Sequence, residues 1–448
     1  MSNTIQGSPT KTFFIEMITR DISIKDAILD LLDNSIDGAN KLNPHSYNGL
    51  FIDITINENE FIVRDNCGGF SLETAQKYAF RFGRPDDTPP TEGSIGRFGI
   101  GMKRALFKIG QDFEVKTKSA NDHFQINVNV TDWKERKKTI TDSKGEQFEV
   151  EDWDFEYLEI TDETNNLEQN GTYIKVCNLH KEVSEIFKDD EFLNDLKDEI
   201  ERLLNFSIEK GIKITLNGSE LQKKDIVIFN DTSKPYFYEL EYNGVRIRVV
   251  AGLSFVGNPR ASGWYIYCND RLVLEADKTE ITLWGTGNIP RWHVDYVMFK
   301  GIVFFDSYET IKLPLTTTKK GIDATSETYN KAKFFMREGM NLVLGFLKDV
   351  RRKLGSEANG YRTMLGEQED KISVINLKTA EIEEGRKFIY PEINLDVVAS
   401  KNEEVRIAFT ASKKLADKLR SDTDSKTYKE LGEYLLRYYL KMEEVEYE

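Results

Sequence analysis

A chain of 448 residues, 39% hydrophobic and 31% charged, has length for two or three domains with sizeable cores. Its 76 acidic residues outnumber 61 Lys and Arg, for a formal net charge of -15, which argues against a surface that coats nucleic acid generally but leaves room for a local basic groove. No apolar run approaches the roughly 18 residues of a membrane span. The N-terminus MSNTIQGSPTK also lacks the apolar core of a signal peptide, so a cytoplasmic protein without membrane attachment is expected. Cys67, Cys177 and Cys268 are far apart, show no metal-ligand spacing and fit a reducing compartment.

After a polar stretch from Ser2 to Thr10, the apolar cluster Phe13, Phe14, Ile15, Met17 and Ile18 must pack on something. Ile24 to Lys41 reads as a half-buried helix, because Ile24, Ala27, Ile28, Leu31, Leu32 and Ile36 recur at three- and four-residue steps. Asp30, Asp33, Asn34 and Asp37 share its other stripe, a spacing at which like charges repel. A bound cation would relieve that repulsion, and Mg2+ takes such oxygen ligands together with water and substrate phosphates. The plain alternative is a solvated acidic face.

Two strands are expected next, Leu50 to Asn57 and Glu60 to Arg64, leading into DNCGGF at Asp65 to Phe70. A strand that ends in Asp and paired glycines makes a turn a ligand can approach closely. Helix Ser71 to Phe82 and a Gly/Pro/Thr-rich loop follow, and the loop ends in GSIGRFGIGMKRALFKIG, Gly93 to Gly110. Gly96, Gly99 and Gly101 precede a helical run from Met102 to Ile109 with Lys103 and Arg104 in its first turn, the makings of a phosphate cradle. A dinucleotide-binding loop would place such glycines after the first strand, with an acidic residue about 20 positions on, and this order is different.

Together DLLDNSIDGA, DNCGGF and IGRFGIGMKRA resemble, in order and spacing, the three nucleotide-binding boxes of the GHKL ATPase superfamily, which includes DNA gyrase, heat-shock chaperone, histidine kinase and MutL; the MORC ATPases look nearest in flavour. The resemblance implies that Asn34 holds Mg2+, Asp65 accepts from the adenine amino group, Gly69 shapes that pocket, and Gly96, Gly99 and Gly101 wrap the ATP phosphates with Lys103 nearby. Thr172, in the GTYIKV strand, would reach the adenine side. Cys67 stands where the adenine box has its first glycine, and Asp30 stands where gyrase and MutL have a general-base glutamate, with Asp33 as the rival base. YIYCNDRLV, Tyr265 to Val273, resembles the NxR strand of the transducer domain that follows the ATPase domain. LPLTTTKKGID resembles the loop carrying the γ-phosphate lysine, at Lys319 or alternatively Lys320.

The expected fold is α+β: a GHKL (Bergerat) α/β sandwich over residues 1–220, a transducer-like α/β domain over 221–325, a long helix and linker over 326–400, and a small β-α-α subdomain over 401–448. Strands are read at Phe113 to Lys118, Phe124 to Val130, Phe148 to Glu151 and Ile212 to Gly218, with Glu182 to Lys210 helical between. In the second domain they fall at Tyr236 to Tyr242, Val245 to Val250, Gly263 to Asn269 and Gly301 to Phe305. Glu327 to Leu354 reads as an amphipathic helix and Gly355 to Lys371 as a polar linker; Thr427 and Glu430 make a capping box in the tail. The implied function is an ATP- and Mg2+-dependent switch with slow hydrolysis, a homodimer on nucleotide binding, acting as a clamp in DNA-related processing or prokaryotic defence. A chaperone-like or signalling ATPase that remodels a protein partner is the other reading. A histidine kinase is disfavoured, since His45, His123, His180 and His293 include none on a convincing dimerisation helix.

Overall fold

The computed structural model describes the chain apart from residues 1–8, 84–99, 142–144, 146, 162–166, 255–257, 317, 318, 320, 356, 357, 380–386, 391–410, 424 and 443–448. It forms two compact units, Met1–Ile393 and Asn394–Glu448. Among the described residues no helix is long and apolar enough to cross a membrane.

The first part of the larger unit is an eight-stranded sheet in the order Ser219–Glu220, Lys213–Leu216, Phe51–Ile56, Glu60–Asp65, Gly171–Leu179, Gly110–Lys118, His123–Asn129, Leu158–Glu159. All its pairs are antiparallel except Phe51–Ile56 with Lys213–Leu216. Strict alternation decides which side is covered: Ile52, Ile54 and Ile56 are buried, as are Phe61 and Val63, while Thr55 and Arg64 between them are exposed. The helices Ile24–Leu42 and Gly101–Ile109 contribute to the same core. Ser23 caps the first by accepting from the Asp26 backbone, and the helix buries Ala27, Ile28, Leu31, Leu32 and Ala39.

Several expected elements are placed differently. The run from Ser71 is a short α-turn, Leu72–Thr74, that widens into a π-helical turn over Ala75–Ala79. Phe148 to Glu151 does not join the main sheet; Gln147–Glu151 pairs with Lys137–Thr141 in a separate hairpin, with most of both strands exposed. Leu158–Glu159 takes the edge position beside His123–Asn129 instead.

The second part is a five-stranded sheet in the order Tyr236–Tyr242, Val245–Leu253, Phe299–Asp306, Gly263–Cys268, Arg271–Asp277, with Gly263–Cys268 parallel to Phe299–Asp306. One face receives the long helix Glu327–Leu354, where a Cβ on Gly339 would lie 2.8 Å from Tyr236 and 2.9 Å from Ala251. The other packs Phe237, Tyr267 and Phe304 against Phe206, Val374 and Leu377. Gly355 to Lys371 is not a linker: it carries helix Ala358–Gln368, buries Tyr361, Met364 and Leu365, and leads into Lys371–Ser373, which pairs with Val227–Phe229. Its exposed polar residues are the solvent side of an amphipathic helix, which composition alone reads as a loop.

In the smaller unit, helices span Lys413–Asp422 and Tyr428–Met442. The capping box is present, with the Glu430 amide donating to Thr427 Oγ1 at 3.1 Å and the Thr427 amide to Glu430 Oε2 at 3.3 Å. The expected strand over Val405 to Ser412 falls largely outside the described residues.

Gly69 is where the fold leaves no room for a side chain. Its φ is +60°, and a Cβ would sit 2.2 Å from the Lys118 carbonyl oxygen and 2.8 Å from that of Gly171. Gly69→Ala should cost about 2–4 kcal/mol in denaturant unfolding, because backbone strain adds to a clash with backbone atoms. Gly49, at φ +83° with nothing within 4 Å, is the control; Gly49→Ala should cost only about 1 kcal/mol.

Candidate functional site

Two members of the acidic stripe of the helix Ile24–Leu42, Asp30 and Asp33, are not solvated. Asp33 is fully buried and Asp30 nearly so, and both are paired with side chains from elsewhere in the chain. Arg104, in the first turn of Gly101–Ile109, donates through Nη2 to Asp30 Oδ2. Arg271, at the start of its strand, donates through Nη1 to Asp33 Oδ1. Lys319 lies between the two carboxylates, with Nζ 2.9 Å from Asp33 Oδ2 and 3.2 Å from Asp30 Oδ1. Burial works against charge on Asp30, but Lys319 and Arg104 outweigh it and hold its carboxyl below the ordinary range. Burial likewise opposes the charge on Lys319; Asp33 and Asp30 more than offset this and raise its pKa.

Local structure aims each cation. Asn269 and Asp270 have φ of +45° and +68°, a two-residue hairpin turn that sets Arg271 opposite Cys268. That turn is pinned by Lys210 and Lys378 on Asp270, and by Asn269 on Ser307. Lys319 has φ +57° in a tight loop closed by the Thr316 amide on the Gly321 carbonyl and the Lys319 amide on Thr316, both at 3.1 Å. Thr318 and Lys320 lie outside the described residues.

Among the described residues three cations therefore face two carboxylates. The Nε–H groups of Arg104 and Arg271 are buried without a hydrogen-bond partner among the described residues. Gly101, at the N-terminus of its helix, would bring a Cβ within 3.3 Å of Asp30. An unbalanced positive charge, orphaned donors and a helix N-terminus suit an anion at this spot. Gly96 and Gly99 fall outside the described residues.

Asn34, on the same helix, is exposed. Among the described residues no group of three or more His, Cys, Asp or Glu is placed to hold a metal. Exposed Asn34 would offer a Mg2+ one side-chain oxygen, its other ligands coming from phosphate and water, as that ion prefers.

Lys103 is turned elsewhere. Its ammonium is buried and donates to the Ala79 carbonyl at 2.6 Å, above the Phe82 ring, and burial lowers its pKa to about 7. Of the two basic residues in that first turn it is Arg104 that reaches Asp30; sequence spacing could not tell which of two adjacent residues would do so.

The turn after Glu60–Asp65 forms a second centre. Asp65 is buried and accepts from Ser35 Oγ at 2.7 Å, the Cys67 amide at 2.9 Å and the Thr172 amide at 3.2 Å. Burial raises its pKa while these three donors pull the other way. Thr172 thus acts through its backbone, fixed opposite Asp65 by strand register. Gly171 must be glycine here, since a Cβ would lie 2.0 Å from the Asp65 carbonyl oxygen. Ser35 and Asn34 are neighbours on one helix, so Asp65 and the charge cluster stand on the same support.

The lowered pKa of Lys103 has a pH signature. The unfolded chain keeps its lysine protonated up to about 10, while the fold releases the proton near 7; the unfolded state holds more protons in between, so stability rises with pH over that window. Lys103→Met should flatten this rise, by up to about 1.4 kcal/mol per pH unit, in urea unfolding compared with wild type between pH 7 and pH 10.

Residues 22–163 match the family model of histidine kinase-, DNA gyrase B- and HSP90-like ATPases. A comparison with curated proteins finds no match. The matched segment includes Asp30, Asp33, Asn34, Asp65 and Arg104, and stops short of Thr172, Arg271 and Lys319. The match covers about a third of the chain and likens that segment to the ATPase domains of the GHKL superfamily.

Proposed function

We propose that this protein is an ATP- and Mg2+-dependent conformational switch with slow hydrolysis, which dimerises on ATP binding and acts as a clamp in DNA-related processing or prokaryotic defence. The observation that carries the reading is Lys319. It comes from outside the matched ATPase segment and yet lies on Asp30 and Asp33 at 3.2 and 2.9 Å. A lysine delivered to an anion site by a separate sheet and loop makes domain arrangement depend on what occupies that site.

Asp65 would receive the adenine amino group, and Gly69 and the Thr172 backbone would hold the shape of that end. The N-terminus of Gly101–Ile109, with Gly96, Gly99 and Gly101, would face the phosphates. Mg2+ held by Asn34 would neutralise phosphate charge and orient the triphosphate. Lys319 would move from the carboxylates to the γ-phosphate oxygen. Asp30, relieved of one of its two cations, would regain basicity and take a proton from the attacking water. Arg104 remains on it and keeps the base weak, which suits slow turnover. Lys103, buried on Ala79, has a packing role in this scheme.

Asp30→Asn should retain ATP binding by calorimetry and lose at least about 100-fold in single-turnover hydrolysis; wild-type hydrolysis would move the base to Asp33 or elsewhere. Lys319→Ala should cut turnover by about 100-fold or more and change ADP affinity by less than about threefold. Equal losses in both would remove Lys319 from γ-phosphate contact. Asn34→Ala should abolish the Mg2+ dependence of nucleotide binding. For the clamp, the chain with a non-hydrolysable ATP analogue should sediment as a dimer that retains DNA; a monomer under those conditions argues for remodelling of a protein partner instead.

A further inference from the structure

The pairings of the charge cluster are unequal in a way that decides which cation can leave. Among the described residues Arg104 pairs with Asp30 alone and Arg271 with Asp33 alone, whereas Lys319 is shared by both. Withdrawing Lys319 leaves each carboxylate with its own arginine. Withdrawing either arginine leaves one buried carboxylate dependent on Lys319, and stranding a buried charge is strongly unfavourable. Lys319 is thus the exchangeable cation and the arginines are retainers.

Arg271 is built for that task. It follows a two-residue turn whose Asp270 is clamped by Lys210 at 2.9 Å and by Lys378, which also holds Asp306 at 2.6 Å. The backbone before Arg271 is therefore fixed, and its planar guanidinium presents its donors in a rigid fork. Lys319 sits instead on a short loop and carries a point charge on a flexible stem. Asp33 itself is fully buried, so solvent cannot compensate it when the lysine departs.

We propose that Arg271 is a positioning residue that lets Lys319 transfer from Asp33 to the terminal phosphate of a nucleoside triphosphate, by keeping Asp33 paired after the lysine has gone. The inference rests on the ATP reading above and adds to it the group that separates triphosphate from diphosphate. Without Arg271, Lys319 stays committed to Asp33 and the protein responds to both nucleotides alike. Removing the Asp33 carboxylate as well abolishes the need for a retainer.

The test measures affinities of a non-hydrolysable ATP analogue and of ADP by calorimetry in the full chain. Wild type should prefer the triphosphate. Arg271→Met should lower that preference about tenfold, with ADP affinity within about threefold of wild type, and the Arg271→Met, Asp33→Asn pair should restore it. A merely structural arginine would lower both affinities together and would not be rescued by a second substitution. An unchanged preference in Arg271→Met, or no recovery in the double variant, overturns the inference. Should Arg271→Met fail to fold, Asp33→Asn alone decides: with Lys319 freed, its preference should equal or exceed that of wild type, and a fall overturns the proposal. A wild-type chain that binds both nucleotides equally also overturns it. A wild-type chain that binds neither overturns the ATP reading itself.

Discussion

Two carboxylates one helical turn apart, Asp30 and Asp33, are paired in a buried site with cations drawn from three separate parts of the chain. Most of the site follows from that constraint. Each ion alone would be expelled from so dry a place or would lose its charge. The Gly101–Ile109 helix and the Arg271 strand give each carboxylate an arginine of its own, and the Lys319 loop adds a third cation that both share. The matched segment and the five-stranded sheet are consequently joined through the Asp33–Arg271 ion pair.

A second ionic knot nearby has the opposite character. Lys378 holds Asp270 and Asp306, and Lys210 adds to Asp270, so among the described residues two carboxylates share two lysines with no cation in excess. Burial opposes the charges of Asp270 and Lys378; the lysines nonetheless lower the pKa of Asp270 to about 2, and the carboxylates raise that of Lys378. This knot fastens the short helix Val374–Thr379 and the turn before Arg271. A balanced knot is a fixture, whereas the cluster at Asp30 and Asp33 carries one cation more than it needs and can release one.

The nucleotide end of the proposed pocket is organised by close approach of backbones. Gly38 on the central helix lies against Cys67, where a Cβ would be 2.5 Å from the carbonyl oxygen, and Gly171 lies as tightly against Asp65. Cys67, standing where a glycine was expected from the resemblance, is buried and gives its amide to Asp65. The turn needs positive φ at Gly68 and Gly69, at +90° and +60°, and not at Cys67, so a small side chain is tolerated there.

Much of the site was legible in the residues. The period of Ile24 to Lys41 marked the central helix, its polar stripe marked the carboxylates, and Asp65 with its glycines marked a tight turn, because spacing along one element determines which side chains share a face. The helix Glu327–Leu354 and the Thr427–Glu430 cap were readable for the same local reason. Long-range pairing was not. Spacing could not show that Asp33 meets Arg271, 238 residues away, or that Lys103 turns to Ala79 while Arg104 takes the carboxylate. Nor could it assign Gln147–Glu151 to a separate hairpin, or show that Ala358–Gln368 buries one side. The sequence by itself determined the acidic stripe, the turns and the element periods, because these depend on neighbours within a few residues. Which cations neutralise the stripe, and which of them is in excess, was decided only by the tertiary structure, since buried charges are balanced by whatever packing brings within hydrogen-bonding distance.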